Sequence, residues 1–355
     1  MSLILLLFLI SFLIGAKPAK RGEFFPDYAS LEKSNSIKGI FVIFVFFRHY
    51  AQYVTLDSVW DKGFSLINYM LGQMIVVAFL FYSGYGVMCS IEKKGISYVK
   101  SLPLQRALRV WVHYAIAVGL FWLANLLLGR TISARKLIGT LLCWDAIGNS
   151  TWYIMAIIIS YLLAYLSFRF CINHKKLGAA WLTFLTVCAV FALIPVRPGR
   201  YYNTLLCFPL GVWWAIYKDK IDAFLKKGMN YGIALSGCMI LTVVTNGLRN
   251  HNVWIYELAS VSFVCVGVLI TMKLSLKNRL IQYAGSHVFS LFILQRLPML
   301  YLSKATELEK SPYLFFAVTF VITFIISFLF DFCIDRLDKL TFGRMRIPAG
   351  EKPAE

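Results

Sequence analysis

Apolar stretches long enough to cross a lipid bilayer recur along almost the whole chain, and no other feature constrains its fold as strongly. A membrane helix needs about 20 apolar residues, because the hydrocarbon core is about 30 Å thick and a helix rises about 1.5 Å per residue. Eleven such stretches can be read: Leu3–Ala16, Gly39–Thr55, Phe64–Ile91, Val110–Gly129, Thr151–Phe168, Ala179–Val196, Tyr201–Tyr217, Tyr231–Leu248, Trp254–Met272, Leu280–Leu302 and Tyr313–Ile334. The expected fold is all-α, a polytopic transmembrane helix bundle of about 10–11 spans.

Composition supports this. Only 15% of the residues are charged and 59% are hydrophobic, against about 25% charged in soluble domains. The loops are short and leave no room for a separate soluble domain. Three regions are expected: an extra amino-terminal membrane helix with a basic loop over 1–33, a transmembrane domain over 34–340, and a basic cytoplasmic tail over 341–355. The first helix has no positive leading segment, and Lys17 and Pro18 follow it without a small-x-small cleavage pattern. A signal peptide needs both, so this helix is expected to be retained.

The net charge of +19 follows mainly from loops on one side. With alternating spans, 25 of the 36 Lys and Arg residues fall on the side of 17–38 and far fewer on the other, and Arg48 lies within a span. Basic loops stay cytoplasmic, so the amino terminus is expected outside and the carboxy terminus in the cytoplasm. The same charge attracts an anionic cytosolic ligand. Nucleic acid is not expected as a partner, because the basic residues are split among many short loops. The eight cysteines are scattered without a C-x-x-C pair and read as small core residues. The five histidines form no H-x-x-x-H or H-E-x-x-H pattern, so no metal is implied.

Ionisable residues inside spans mark function, since Arg at the bilayer centre costs about 2.5–3.5 kcal/mol on insertion scales. His49 follows Arg48 in the middle of the apolar run from Ile37 to Tyr53. Lys38 lies eleven residues earlier, about three turns and 16 Å along a helix, on nearly the same face. An imidazole suits proton transfer near neutral pH, and a hydrogen-bonded histidine inside a bundle is the plainer alternative. Arg106, Arg109 and His113 share a helix stripe, either as anchors at the membrane surface or as a phosphate grip. The segment from Phe81 to Gly86 contains Ser83 among small and aromatic residues, a pattern that first of all permits close helix packing. Gly148 to Tyr153 opens the fifth span with Asn149 and Trp152, followed by Tyr161; such aromatics usually belong to an interfacial belt but also stack on sugar rings. Carboxylates are nearly absent from span interiors, which excludes a glycosidase pair and an acid-lined proton pump. His49 is left as the general base.

These residues resemble acyltransferase family 3, the multispanning membrane O-acyltransferases. Lys38 and His49 match its basic-x10-His motif, and Lys38-Gly39-Ile40 its basic-Gly-Ile opening. Arg106-Ala107-Leu108-Arg109 matches its R-x-x-R motif, Ser83-Gly84 its F-x-x-S-G segment, and Trp152 with Tyr161 its W-to-Y spacing. The resemblance runs over about residues 34–340. Three features depart from it: Ile157-Ile158-Ile159 stands where the family often carries acidic residues, Gln295 replaces the His of a late Y-x-L-H-x-P motif, and the first helix adds an eleventh span to the usual ten.

The resemblance implies transfer of an acyl group, most often acetyl, from cytosolic acetyl-CoA or another acyl-CoA to a hydroxyl of a cell-surface polysaccharide or lipid-linked glycan. No permanently bound cofactor is implied; the acyl-CoA is a substrate. His49 becomes the base or the acyl carrier, with Lys38 and Arg48 orienting the donor or stabilising the oxyanion. Arg106, Arg109 and His113 bind the donor. Ser83, Asn149, Trp152 and Tyr161 are acceptor-side candidates. The setting implied is a bacterial cytoplasmic membrane. The main alternative is a transporter or flippase for an anionic lipid or glycan precursor, in which the same cations hold a cargo. A polysaccharide polymerase would need a larger extramembrane loop than Arg130–Ser150.

Overall fold

The computed structural model describes residues 1–20 and 22–342. Arg21 and nearly all of the tail expected at 341–355 lie outside the described residues. The chain forms fifteen α-helices among them: α1 (Ser2–Leu13), α2 (Leu31–Tyr50), α3 (Lys62–Leu71), α4 (Val77–Leu102), α5 (Arg109–Leu127), α6 (Ala134–Leu141), α7 (Trp152–Phe170), α8 (Lys175–Leu193), α9 (Cys207–Leu225), α10 (Gly228–Leu248), α11 (Val253–Lys273), α12 (Arg279–Ser286), α13 (Val288–Leu294), α14 (Arg296–Ala305) and α15 (Pro312–Thr341). The only strands among the described residues are β1 (Lys17–Pro18) and β2 (Leu274–Ser275), paired antiparallel. The protein is an all-α polytopic bundle.

Among the described residues, six helical stretches are long and apolar enough to cross a membrane: residues 74–127, α7, α8, α10, α11 and α15. The first runs for 54 residues, about 80 Å if straight, far more than one crossing. It breaks at Gly95, whose φ of +60° and ψ of −146° leave the helical region, and passes through a π-helical turn from Pro103 to Leu108 before α5. Seven of the eleven expected spans fall in these six stretches.

The other four expected spans depart from a plain apolar helix, each for a local reason. α1 has only 12 residues. α2 carries Glu32, Lys33, Lys38 and Arg48. α9 starts at Cys207, later than expected, and carries Lys218, Asp219, Lys220 and Asp222. The stretch from Leu280 to Leu302 is broken twice, at His287 and at Gln295, into α12, α13 and α14. The expected span Phe64–Ile91 is also divided, because Gly72 turns the chain at φ +49° between α3 and α4.

Close backbone contact holds the bundle together at two crossings. A Cβ on Gly84 of α4 would stand 2.0 Å from the Phe208 carbonyl oxygen, and one on Gly211 of α9 would stand 2.0 Å from that of Phe81. The same reciprocity joins α2 to α12, where Gly39 faces the Ile281 carbonyl and Gly285 that of Asn35, each at 1.8 Å. Small residues permit such approach, and in lipid, packing of this kind replaces much of the hydrophobic drive. α1 is part of the same core. Its Phe8 ring packs edge-on to Phe47 of α2 and Phe320 of α15, both at 5.4 Å.

Loops that should share a membrane face are tied to one another. On one face β1 pairs with β2, the Tyr28 hydroxyl donates to Asp222 at 2.8 Å, and Lys175 meets Glu92 at 3.6 Å. On the opposite face the Tyr50 hydroxyl donates to the Pro312 carbonyl at 2.8 Å and Arg197 to that of Trp144 at 2.7 Å. These faces are called the β face and the His face below.

Candidate functional site

The site is built around the last turn of α2. Ser30 caps that helix by accepting from the Lys33 N–H, and Glu32 lies in its first turn, where a negative charge suits the helix dipole. The helix therefore starts at the β face, and its end brings His49 to the His face. His49 lies one residue from the helix end, nearer that face than the bilayer centre.

His49 is 5% exposed. Its Nε2 is 3.1 Å from Ser150 Oγ. Its Nδ1 is buried without a hydrogen-bond partner among the described residues. A buried polar atom left alone costs about 1–3 kcal/mol, so such an atom in a native fold calls for a functional or strain explanation. Phe292 of α13 walls the ring, its centroid 6.3 Å away. The neighbouring charges are Arg296 and Arg48.

Ser150 reaches His49 because the preceding loop is pinned from α5. Asn125 Nδ2 donates to the Ile147 carbonyl at 2.9 Å. Asn149 Oδ1 accepts from the Ile147 N–H at 3.0 Å, and its Nδ2 donates to the Tyr114 hydroxyl at 3.0 Å. That hydroxyl in turn donates to the Thr140 carbonyl at 2.7 Å. Gly148 makes the turn with φ +116°, where a Cβ would also strike Leu300 Cδ2 at 2.6 Å. Nearby, burial pushes the Cys143 thiol up to about 12, so it stays protonated. Asn149 thus positions the loop and does not face His49 through a bond of its own. Trp152 begins α7, with its ring 6.3 Å from that of Tyr153.

Neither Arg48 nor Lys38 has a hydrogen bond to the imidazole among the described residues. Arg48 donates to the Asn68 carbonyl at 3.2 Å, on the α3 side. Lys38 is half-buried and about 16 Å down the helix, too far to touch the imidazole. Arg296 is a further basic neighbour of His49, and its Nε donates to the Tyr53 hydroxyl at 3.3 Å. Sequence reading missed Arg296, Ser150 and Phe292. A signal for the first was present: Arg296 follows Gln295 inside the late motif.

The remaining candidates divide into two groups toward the β face. Arg109 and His113 are both taken by Asp338 of α15. Arg109 Nε donates to Oδ2 at 2.7 Å, its Nη2 bonds the same oxygen, and His113 Nε2 is 2.9 Å from Oδ1. Arg106 is apart from them, on the π-helical turn. Its side chain is exposed, its Nε donates to the Tyr98 hydroxyl at 3.3 Å, and Tyr161 is beside it. Ser83 also neighbours Tyr161. Ser83 and Tyr161 therefore gather with Arg106 and not with Asn149 and Trp152. Gln295 is buried and donates to the Phe292 carbonyl at 3.3 Å.

A line of buried aromatics joins the two ends. Phe292 contacts Tyr153 with ring centroids 5.0 Å apart. Tyr161 lies eight residues further along α7, about 12 Å on, next to Arg106.

No curated protein and no solved structure matches this sequence. The sequence profile of a family described as an acyltransferase domain matches residues 32–332. That span contains His49, Ser150, Arg106 and Arg296 and nearly the whole bundle, and the chain belongs to acyltransferase family 3.

Proposed function

We propose that this membrane acyltransferase moves an acyl group, with acetyl as the expected case, from an acyl-CoA to a hydroxyl of a cell-surface polysaccharide or lipid-linked glycan. The β face is the cytoplasmic side in this reading, and the membrane is the bacterial cytoplasmic membrane. The observation that carries the chemistry is His49: a buried imidazole with one nitrogen held by Ser150 and the other without a hydrogen-bond partner among the described residues.

Each step then has a residue. Arg106, exposed near the β face, takes phosphates of the donor, and half-buried Lys38 adds positive charge at the same depth. The pantetheine arm runs inward along the aromatic line. His49 removes the proton of the acceptor hydroxyl as the oxygen attacks the thioester carbonyl. A C–O bond forms, the C–S bond breaks, and the proton passes from the imidazole to the leaving sulfur. Arg296 is the cation placed to offset the charge developing on the carbonyl oxygen. Arg109 and His113 act in this scheme by fixing α5 to α15, which positions Arg106 one turn earlier.

Proton NMR of purified surface glycan tests this, from cells expressing the wild type or His49→Ala at matched membrane levels. An O-acyl signal lost in the variant is the expected result. Equal acylation with both proteins would sink the assignment of His49.

A further inference from the structure

A polar cavity of about 450 Å³ opens on the His face, between the α3–α4 turn, the loop before α9 and the start of α11. Its volume lies in the range of small-molecule sites, about 300–1,000 Å³. Arg249, Arg200, Gln73, Asn203, Tyr202 and Tyr256 are among its walls.

Its cations lack counter-charges. Arg249 is buried, yet its guanidinium bonds only neutral acceptors: the Met70 carbonyl at 2.5 Å, the Tyr69 carbonyl at 2.6 Å and the Asn246 side-chain oxygen. Arg48 stands close enough to feel both Arg249 and Tyr256. Arg200 is exposed. None of the three forms an ion pair among the described residues. Glu257 follows Tyr256 but turns to the Leu206 N–H at 3.2 Å. Buried charges are normally paired; the carbonyls at the end of α3 offset part of the Arg249 charge, and an anion would supply the rest. The amino terminus of α11, with Asn252 and Val253 on the wall, adds to the positive potential.

A second observation points to a ligand with hydroxyls. Gln73 Oε1 is buried and without a hydrogen-bond partner among the described residues, while the Gln73 N–H is held by the Tyr256 hydroxyl at 3.1 Å. Asn203 and Tyr202 supply further neutral amide and phenol groups. Such groups match sugar hydroxyls, and a guanidinium fork matches a carboxylate.

Two links lead from the cavity walls toward the surroundings of the histidine. The loop that carries Arg200 and Tyr202 also carries Tyr201, whose hydroxyl is 3.1 Å from Thr151 Oγ1. Thr151 follows Ser150, and Arg48 precedes His49. We propose that this cavity binds an acidic sugar, a polyhydroxylated ring bearing a carboxylate, and that this unit belongs to the acyl acceptor. Its role as acceptor rests on the acyl-transfer reading above; the binding does not.

The test is titration of the purified full chain in nanodiscs, followed by saturation-transfer NMR, with sodium glucuronate, glucose and sn-glycerol 3-phosphate. Glucuronate is expected to bind at least about tenfold more tightly than glucose, equal to about 1.4 kcal/mol. Arg200→Gln and Arg249→Gln bring it to the level of glucose. Should Arg249→Gln fail to fold, exposed Arg200 carries the test alone. Equal affinity for glucose and glucuronate, no saturable binding, or indifference to Arg200→Gln overturns the proposal. Tighter binding of glycerol phosphate assigns the cavity to a lipid headgroup and overturns the sugar. Glucuronate binding by a wild type that acylates no glycan would remove the acyl-transfer reading and leave the cavity standing.

Discussion

His49 and Ser150 lie 101 residues apart in the chain, and the side chain of one meets that of the other at 3.1 Å inside the bundle. The bond fixes one imidazole nitrogen and so determines which nitrogen is left for chemistry. His49→Ala is expected to lower acyl transfer by about 10²–10⁴-fold, the usual weight of acid–base catalysis. Ser150→Ala removes one positioning bond of about 0.5–1.5 kcal/mol and is expected to cost about two- to tenfold. Turnover of labelled acetyl-CoA in membranes measures both. A Ser150→Ala loss as large as that of His49→Ala would contradict a positioning role.

Asp338 is buried and binds Arg109 and His113 through its two carboxylate oxygens. Breaking a buried pair by removing one partner costs about 3–5 kcal/mol; Arg109 is partly exposed, which places the expected loss at or below the lower end. Asp338→Ala should therefore lower the thermal midpoint of the purified protein. Arg106→Ala, which removes an exposed group bonded to the Tyr98 hydroxyl, should leave the midpoint near wild type and raise KM for the donor. The two variants exchanging these effects would reverse the roles given to the two arginines.

Gly84 and Gly86 differ by two positions on α4 but not in sequence character. A Cβ on Gly84 meets the Phe208 carbonyl at 2.0 Å, while one on Gly86 meets nothing within 4 Å. Gly84→Ala is expected to push α4 from α9 and reduce folded yield. Overpacking of this kind costs about 1–3 kcal/mol. Gly86→Ala should be neutral or slightly stabilising, since alanine favours helix. Size-exclusion profiles in detergent compare them directly.

Cys171 ends α7 at the β face and is half-buried, while Cys143 is buried near the His face. A membrane-impermeant maleimide should label Cys171 in inside-out vesicles and leave it untouched in right-side-out ones. Cys143, with its thiol raised to about 12 by burial, should resist at pH 7.5 in both. Labelling of Cys171 from the outside would invert the orientation assigned here.

The sequence alone determined the helical bundle, because backbone groups in lipid must be satisfied within each segment and long apolar runs reveal where that happens. It also singled out Lys38 and His49, since charge inside an apolar run is visible without a structure, and Arg106 by its spacing with Arg109 and His113. What surrounds those residues was decided by tertiary packing. Asp338 claims Arg109 and His113 from more than 200 positions away. Arg48 turns its guanidinium to Asn68, and Arg296 joins it as a charge near His49. Ser150 becomes the partner of the imidazole only because Asn125 and Tyr114 hold its loop from α5. Periodicity places a side chain on a face of its own helix, but the partner it meets there depends on which helices cross and how closely. Here that was decided by the glycine contacts of α2 with α12 and of α4 with α9.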